Sequence, residues 1–184
     1  MKTSLRIKAD KAKKFRCKNL ILVLENPKNL ENVGSTIRNI EALGGEKLYV
    51  VDGNNLLPDN WQQMRSRNSL NKISASAIKW SFVKKFGSTK DCLSHLQFKG
   101  FNSISTSPHL KGRENKLLQD GKYNQKRLAI WFGNESSGVS PEALDNSEFC
   151  VQIPMGGIIE SLNLGTSTGI VLYEVTKQRR NFKK

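Results

Sequence analysis

Apolar positions along the chain change their period several times. Leu20 to Leu24 form an unbroken apolar run, which reads as a buried strand over residues 19–25. Val33, Ile37 and Ile40 then recur at helical spacing, predicting a helix over 29–43 that Gly44 and Gly45 bring to an end. Further strands are expected over 47–52, 101–105, 127–132 and 149–153, and a helix over 89–98 that Gly100 stops. Ser140, Pro141 and Glu142 form a helix-start signature, and the apolar run after Ser161 predicts a closing helix to about Arg180. Strands alternating with helices indicate an α/β domain whose sheet is mostly parallel and flanked by helices. Residues 53–79, with Trp61, Met64, Arg65 and Arg67, show no clear period and read either as a partly ordered surface excursion or as a face for RNA.

Composition narrows the class. The chain of 184 residues suits one domain with small appendages. No apolar run approaches the length of a bilayer span and no signal-peptide pattern opens the chain, so a cytoplasmic protein without a membrane partner is expected. Cys17, Cys92 and Cys150 are unpaired by spacing and suit core filling, and His95 and His109 lack the spacing of a helical metal pair. No metal site is expected.

Charge is unevenly placed. The formal net charge is +14, of which residues 1–18 carry +7 and residues 176–184 carry +5. Leu5, Ala9, Ala12 and Phe15 recur at helical spacing amid the first group, so residues 1–18 read as a basic helical extension and 19–184 as the main domain. Concentrated Lys and Arg attract phosphate backbones by releasing counterions, largely without reading sequence, although solvated termini explain the same charges.

Three constellations carry candidate chemistry. Asn29, Asn32, Gly34, Arg38 and Asn39 open the first helix of the main domain, with Asn32, Ser35 and Asn39 able to share its polar face. Gly133, Glu135 and Gly138 follow an apolar strand, where glycines permit sharp turns or close approach to a ligand. This loop lacks the Lys-Ser/Thr ending of a P-loop and is not the dinucleotide Gly-x-Gly-x-x-Gly. Lastly, Ile153-Pro-Met-Gly-Gly-Ile-Ile-Glu-Ser161-Leu-Asn163 leads an irregular loop into the closing helix. Backbone amides at a helix start suit a polar or anionic ligand, and an ordinary strand-loop-helix connection would look alike.

In order and spacing, these motifs resemble the SpoU family of RNA ribose 2′-O-methyltransferases, within the SPOUT class, and most nearly its TrmH-like members. The resemblance runs from about residue 20 to residue 180. It implies a C-terminal deep trefoil knot, a homodimer with the active site near the subunit interface, and S-adenosyl-L-methionine as cofactor. The cofactor-binding residues it implies are Thr106, Gly133, Ile153 and Leu162; the catalytic set is Arg38, Asn32, Glu135, Ser161 and Asn163. A guanosine in tRNA is the favoured substrate, with rRNA methylation or a non-catalytic RNA-binding module as alternatives.

In the reaction so implied, a ribose 2′-hydroxyl is a poor nucleophile at neutral pH and must be aligned with the methyl donor while losing a proton. Arg38 matches the family's catalytic arginine. Because a guanidinium stays protonated, the favoured role is to bind the adjacent phosphate and stabilise alkoxide charge; Arg38 as the base itself is the competing role. Asn32 and Asn163 would orient Arg38 or the ribose, and Glu135 would hold the loops by accepting backbone N–H bonds or, as the second choice, contact the substrate. Ser161 would bond nearby polar groups or cap the closing helix. One departure stands out: where the family pattern continues with an aliphatic residue and serine, this chain has Leu164 and then Gly165. A glycine there lowers helix propensity by about 1 kcal/mol against alanine.

Overall fold

The computed structural model describes residues 4–112 and 114–180. A parallel sheet organises them. Its strands are β1 (Cys17–Glu25), β2 (Gly45–Val51), β3 (Phe82–Phe86), β4 (Asn102–Thr106), β5 (Asn115–Leu117), β6 (Leu128–Phe132) and β7 (Cys150–Gln152), in the spatial order β3-β2-β1-β6-β4-β7-β5. Every strand pair is parallel.

Alternation along β1 explains the two layers of core. Leu20, Leu22 and Leu24 point to one face, where they meet α2 (Leu30–Leu43) through Val33, Ile37 and Ile40 and α7 (Leu164–Arg179) through Val171, Leu172 and Val175. Ile21 and Val23 point to the other face with Ala129 and Trp131, against α5 (Thr89–Phe98) and the short α6 (Pro141–Asp145). A strand buried on both faces must be apolar at every position, which is why β1 reads as an unbroken run. Cys92 and Cys150 belong to the second layer, and no cysteine is paired. Burial pushes both thiols up, that of Cys150 against the opposing pull of the Ser105 hydroxyl and Lys111, so they are inert core residues at neutral pH.

The ends of the elements differ from expectation in ways the contacts explain. The basic N-terminal helix, α1 (Ser4–Ala12), gives way to a 3-10 turn over Lys13–Phe15 instead of running to residue 18. β1 claims the next residues: Cys17 aligns with Gly45, and its N–H donates to the Gly44 carbonyl at 2.8 Å. Residues 1–3 and 181–184 of the two basic ends lie outside the described residues. The closing helix begins at Leu164, and its cap is Asn163, whose side chain accepts from Thr166 N. Ser161 is therefore not the cap.

Residues 53–79 are ordered, with α3 (Trp61–Ser66), α4 (Asn68–Ile73) and a 3-10 turn over Ala77–Lys79. Met64, Leu70 and Ile78 enter the first core layer, and Trp61 packs half-buried against it. Arg67 serves structure: its guanidinium donates to the Leu56 carbonyl at 2.8 Å. β3 and β5 were not expected, and both are outermost strands of the sheet.

Candidate active site at the C-terminal ends of the strands

In a parallel sheet ligands gather where the strands end in loops. Three such loops, after β4, β6 and β7, enclose with the first turns of α7 a cavity of about 470 Å³. That volume falls within the range typical of ligand pockets. Thr106, Gly133, Glu135, Ile153, Ser161, Leu162 and Asn163 all line it, so seven of the nine residues proposed from sequence meet in one place. Phe132, Val151, Leu164 and Val171 supply an apolar floor.

Each loop is held by identifiable contacts. The Thr106 hydroxyl donates to the Trp131 carbonyl at 2.9 Å, tying the end of β4 to β6. Gly133 is required by close approach: a Cβ there would lie 1.8 Å from the Gly138 carbonyl carbon. Gly138 has φ +69°, a conformation glycine adopts without penalty. Between them the Asn134 side chain accepts from the N–H groups of Ser136 at 2.9 Å and Ser137 at 2.8 Å, closing the loop on itself.

Asn32 lies outside the cavity wall and acts through its neighbours. The Asn163 amide donates to Asn32 Oδ1 at 2.9 Å, and the Asn32 amide donates in turn to Glu135. Asn32 is buried, with both ends of its amide satisfied. The other Glu135 oxygen accepts from Lys28 N at 3.2 Å. Glu135 thus clamps the loop after β6 to the start of α2. Asn163, Asn32 and Glu135 form one chain joining three segments far apart in sequence.

Arg38 and Ser161 stand differently. Arg38 is exposed a little over two turns along α2, outside the cavity lining, and no hydrogen bond or ion pair involves it among the described residues. Ser161 lines the cavity and is exposed, again without a hydrogen bond among the described residues. The Arg38 guanidinium, outside the cavity lining, and the Ser161 hydroxyl within it both keep their bonding capacity available to a ligand.

Sequence reasoning passed over several participants. Glu25, the last residue of β1, is 3% exposed; its carboxylate accepts from Ser140 N at 2.8 Å, Ser140 Oγ at 2.6 Å and the Thr89 hydroxyl. It thereby anchors the starts of α5 and α6 directly beneath the loop after β6. A carboxylate ending an otherwise apolar strand was the signal available. His109, Lys111, Met155 and Glu160 also reach the cavity from irregular loops, where periodicity gives no guide. No group of residues suited to holding a metal occurs among the described residues.

The SpoU rRNA Methylase family matches residues 19–173. The tRNA (guanosine(18)-2′-O)-methyltransferase of Aquifex aeolicus is 29% identical over 165 residues, which is 89% of this chain and 72% of that protein. The crystal structure of the A. aeolicus TrmH/SpoU tRNA modifying enzyme superposes with a TM-score of 0.76 at 27% identity, covering 96% of this chain and 85% of that one. The fold is also that of the SpoU methyltransferase AviRb from Streptomyces viridochromogenes, solved in complex with AdoMet, at a TM-score of 0.73 and 22% identity over 88% of this chain and 61% of that one.

Proposed function

The chain belongs to the SpoU rRNA Methylase family, and we propose that it transfers a methyl group from S-adenosylmethionine to a ribose 2′-hydroxyl of RNA, with a guanosine of tRNA as the favoured acceptor. The observation that carries this reading is the convergence of the loops after β4, β6 and β7 on one cavity, which the Asn163–Asn32–Glu135 chain couples to the helix bearing Arg38.

The cavity suits the cofactor by its donor set. Ile153, Met155, Leu162 and Val171 offer apolar surface for an adenosine. Glu160 and Lys111 place opposite charges at the same cavity, complementary to the ammonium and carboxylate of an amino-acid tail. Thr106, Gly133, Ile153 and Leu162 would hold the cofactor, which supplies an electrophilic sulfonium methyl when bound. The protein's task is then alignment and charge. Arg38 binds the phosphate beside the target ribose and stabilises negative charge developing on its 2′-oxygen. A guanidinium stays protonated, so the hydroxyl proton leaves through phosphate or water. Ser161 and Asn163 fix the ribose from the side of α7.

Two structural features accompany this reading. A C-terminal knot is supported by β7 lying between β4 and β5, and by the end of α7 being tied to the connection before β6. There Gln178 donates to the Gly121 carbonyl at 3.1 Å, and Arg179 donates to those of Tyr123 and Gln125, each at 2.7 Å. A homodimer is supported by the exposed Ile170 and Tyr173 on α7 and by Arg38 standing outside its own chain's cavity. An enzyme acting on tRNA would work in the cytoplasm, and no described helix is long and apolar enough to cross a membrane.

Incubation with methyl-labelled S-adenosylmethionine and separate tRNA and rRNA pools, followed by mass-spectrometric mapping, tests the proposal. Label in a 2′-O-methylguanosine of tRNA is the expected result. Label confined to rRNA would reassign the substrate, and none in either pool would remove the activity in favour of an RNA-binding module.

A further inference from the structure

Phe15 and Arg180, which belong to the two basic ends and lie more than 150 residues apart in sequence, come together in the fold. Gly44, just past α2, is where they do so: a Cβ there would collide with the Arg180 guanidinium and lie 3.1 Å from the Phe15 carbonyl. Arg180 donates to the Leu43 carbonyl, and Arg16 pairs with Glu41 on the last turn of α2. This is the end of α2 opposite Asn32. It also lies where β1 and β2 begin, away from the strand ends that hold the cavity.

An aromatic ridge adjoins this charge. Arg16 donates to the Trp80 carbonyl at 3.2 Å, bringing Phe15 and Trp80 to the same edge. Phe15, Trp80 and Phe82 are 59%, 39% and 43% exposed. Phe82 begins the outermost strand β3, and its ring is 5.7 Å from that of Trp61, over which Arg65 stacks at 5.6 Å. Lys14 lies 5.0 Å from the Phe15 ring centre, and Lys79 is exposed beside Trp80. Two acids here are engaged, Glu41 by Arg16 and Asp10 by Lys13.

Exposed rings interleaved with cations match single-stranded nucleic acid, whose bases stack while its phosphates are neutralised. We propose that Phe15, Trp80 and Phe82, with Lys14 and Lys79, form a second RNA-docking surface that stacks unpaired bases at the far end of α2 from the cavity. This rests on the reading of the protein as an RNA-modifying enzyme and extends it, because the surface grips RNA away from the methylated ribose. A protein partner is less suited, since Lys14 and Lys79 form no ion pair among the described residues and would carry a desolvation cost when buried against a neutral face.

Binding of an unfractionated tRNA pool and of single-stranded oligouridine tests the surface, measured by filter retention alongside S-adenosylmethionine binding by calorimetry. Trp80→Ala/Phe82→Ala is expected to weaken both RNAs about tenfold, the loss of one stacked base, while S-adenosylmethionine affinity stays unchanged. Trp80→Phe should retain most of the binding, which a folding defect would not distinguish so simply. Lys14→Ala/Lys79→Ala keeps every ring and should lower the slope of log affinity against log salt by about 1.4, at about 0.7 for each single-strand phosphate a lysine neutralises. Wild-type RNA affinity in the aromatic and lysine variants alike would overturn the proposal. So would a change in sedimentation mass without a change in RNA affinity, which would make the patch a protein interface. Loss of RNA binding in a protein whose wild type transfers no methyl group would retain the surface and remove the enzymatic reading.

Discussion

Replacing Gly165 with alanine should destabilise the protein, although alanine is the better helix former. The new Cβ would lie 2.9 Å from Ser35 Cβ and 3.1 Å from Asn163 Oδ1. Ser35 sits on α2, and its Cβ moves only if the helix moves. Displacing α7 would stretch the bond from the Asn39 amide to the Gly165 carbonyl, now 2.7 Å, and the Asn163 cap on Thr166 N, now 3.3 Å. Alanine gains about 1 kcal/mol of helix propensity. Against it stand about 1–3 kcal/mol for overpacking a close contact and about 1 kcal/mol for a damaged cap. The net loss is about 1–3 kcal/mol, a fall of roughly 3–10 °C in Tm for a chain of this size. Thermal melting followed by circular dichroism measures it. A Gly165→Ala variant melting at or above the wild type would show that α7 and α2 are not held this closely. Ser35→Gly removes the opposing Cβ, so the alanine penalty should shrink in that background, and a double-mutant cycle isolates the coupling.

Arg38→Ala should lower methyl transfer by about 10²–10³-fold, as loss of a charge-stabilising group does, with Tm unchanged because the exposed side chain has no partner among the described residues; a large fall in Tm would count against a purely functional role. Asn32→Ala breaks the chain between Asn163 and Glu135, so it should cost about 1–3 kcal/mol of stability and also reduce kcat, read by denaturant titration beside single-turnover kinetics. Glu25→Gln should loosen the starts of α5 and α6, since an amide has only one oxygen to accept what two carboxylate oxygens now take; earlier hydrogen exchange over residues 133–140 than in the wild type would report it. Burial, with Lys84, Lys99 and Lys47 nearby, holds the His95 imidazole below its ordinary value. The unfolded chain therefore takes up this proton first, and stability should fall as pH drops through about 6.5. A His95→Asn variant should show a flatter dependence of Tm on pH between about 7.5 and 5.5.

What could be read from the sequence tracks how much each residue's environment is set locally. The buried strands β1 and β6 announce themselves because both faces are covered, and the end of α5 was readable because Gly100 follows it. β3 escaped notice because it is an outermost strand with lysines at two of five positions. Lys85 is satisfied there by distant groups, the Leu57 carbonyl at 3.1 Å and Asp59 at 2.7 Å. β5 has three residues and exists by pairing with β7. In the site, the glycine and asparagine motifs were legible since loops need those residue types. That Asn163 caps α7 while its amide reaches Asn32 required the third dimension. The same holds for Gly165, which looks like a helix-weakening departure in sequence and in the fold is the residue that lets two helices touch.

The placement of Arg38 follows from how α2 is clamped. On one side a Cβ at Gly34 would come 2.5 Å from the Ile73 side chain, so α2 lies against the end of α4. On another, Gly165 and Gly169 of α7 admit Ser35 and Asn39, and the Thr36 and Thr168 hydroxyls approach to 3.3 Å. At its start Asn32 ties it to the cavity loops, and at its end Gly44 lies between Arg180 and Phe15. Val33, Ile37 and Ile40 are fully buried against the sheet beneath. Fourteen residues at about 1.5 Å each make α2 about 21 Å long, so the rod fixed at both ends also sets the separation of the cavity from the proposed docking surface. Arg38 is the long side chain near the middle of its open face. Its backbone has almost no freedom, whereas its guanidinium keeps all of its donors, an arrangement that stabilises charge on a ligand at little cost in reorganisation. Loosening the clamp without touching Arg38, as Gly34→Ala would at the α4 contact, should therefore lower kcat while S-adenosylmethionine affinity, set by the loops after β4, β6 and β7, changes less. Equal losses in both would mean that α2 and the cavity loops yield as one body.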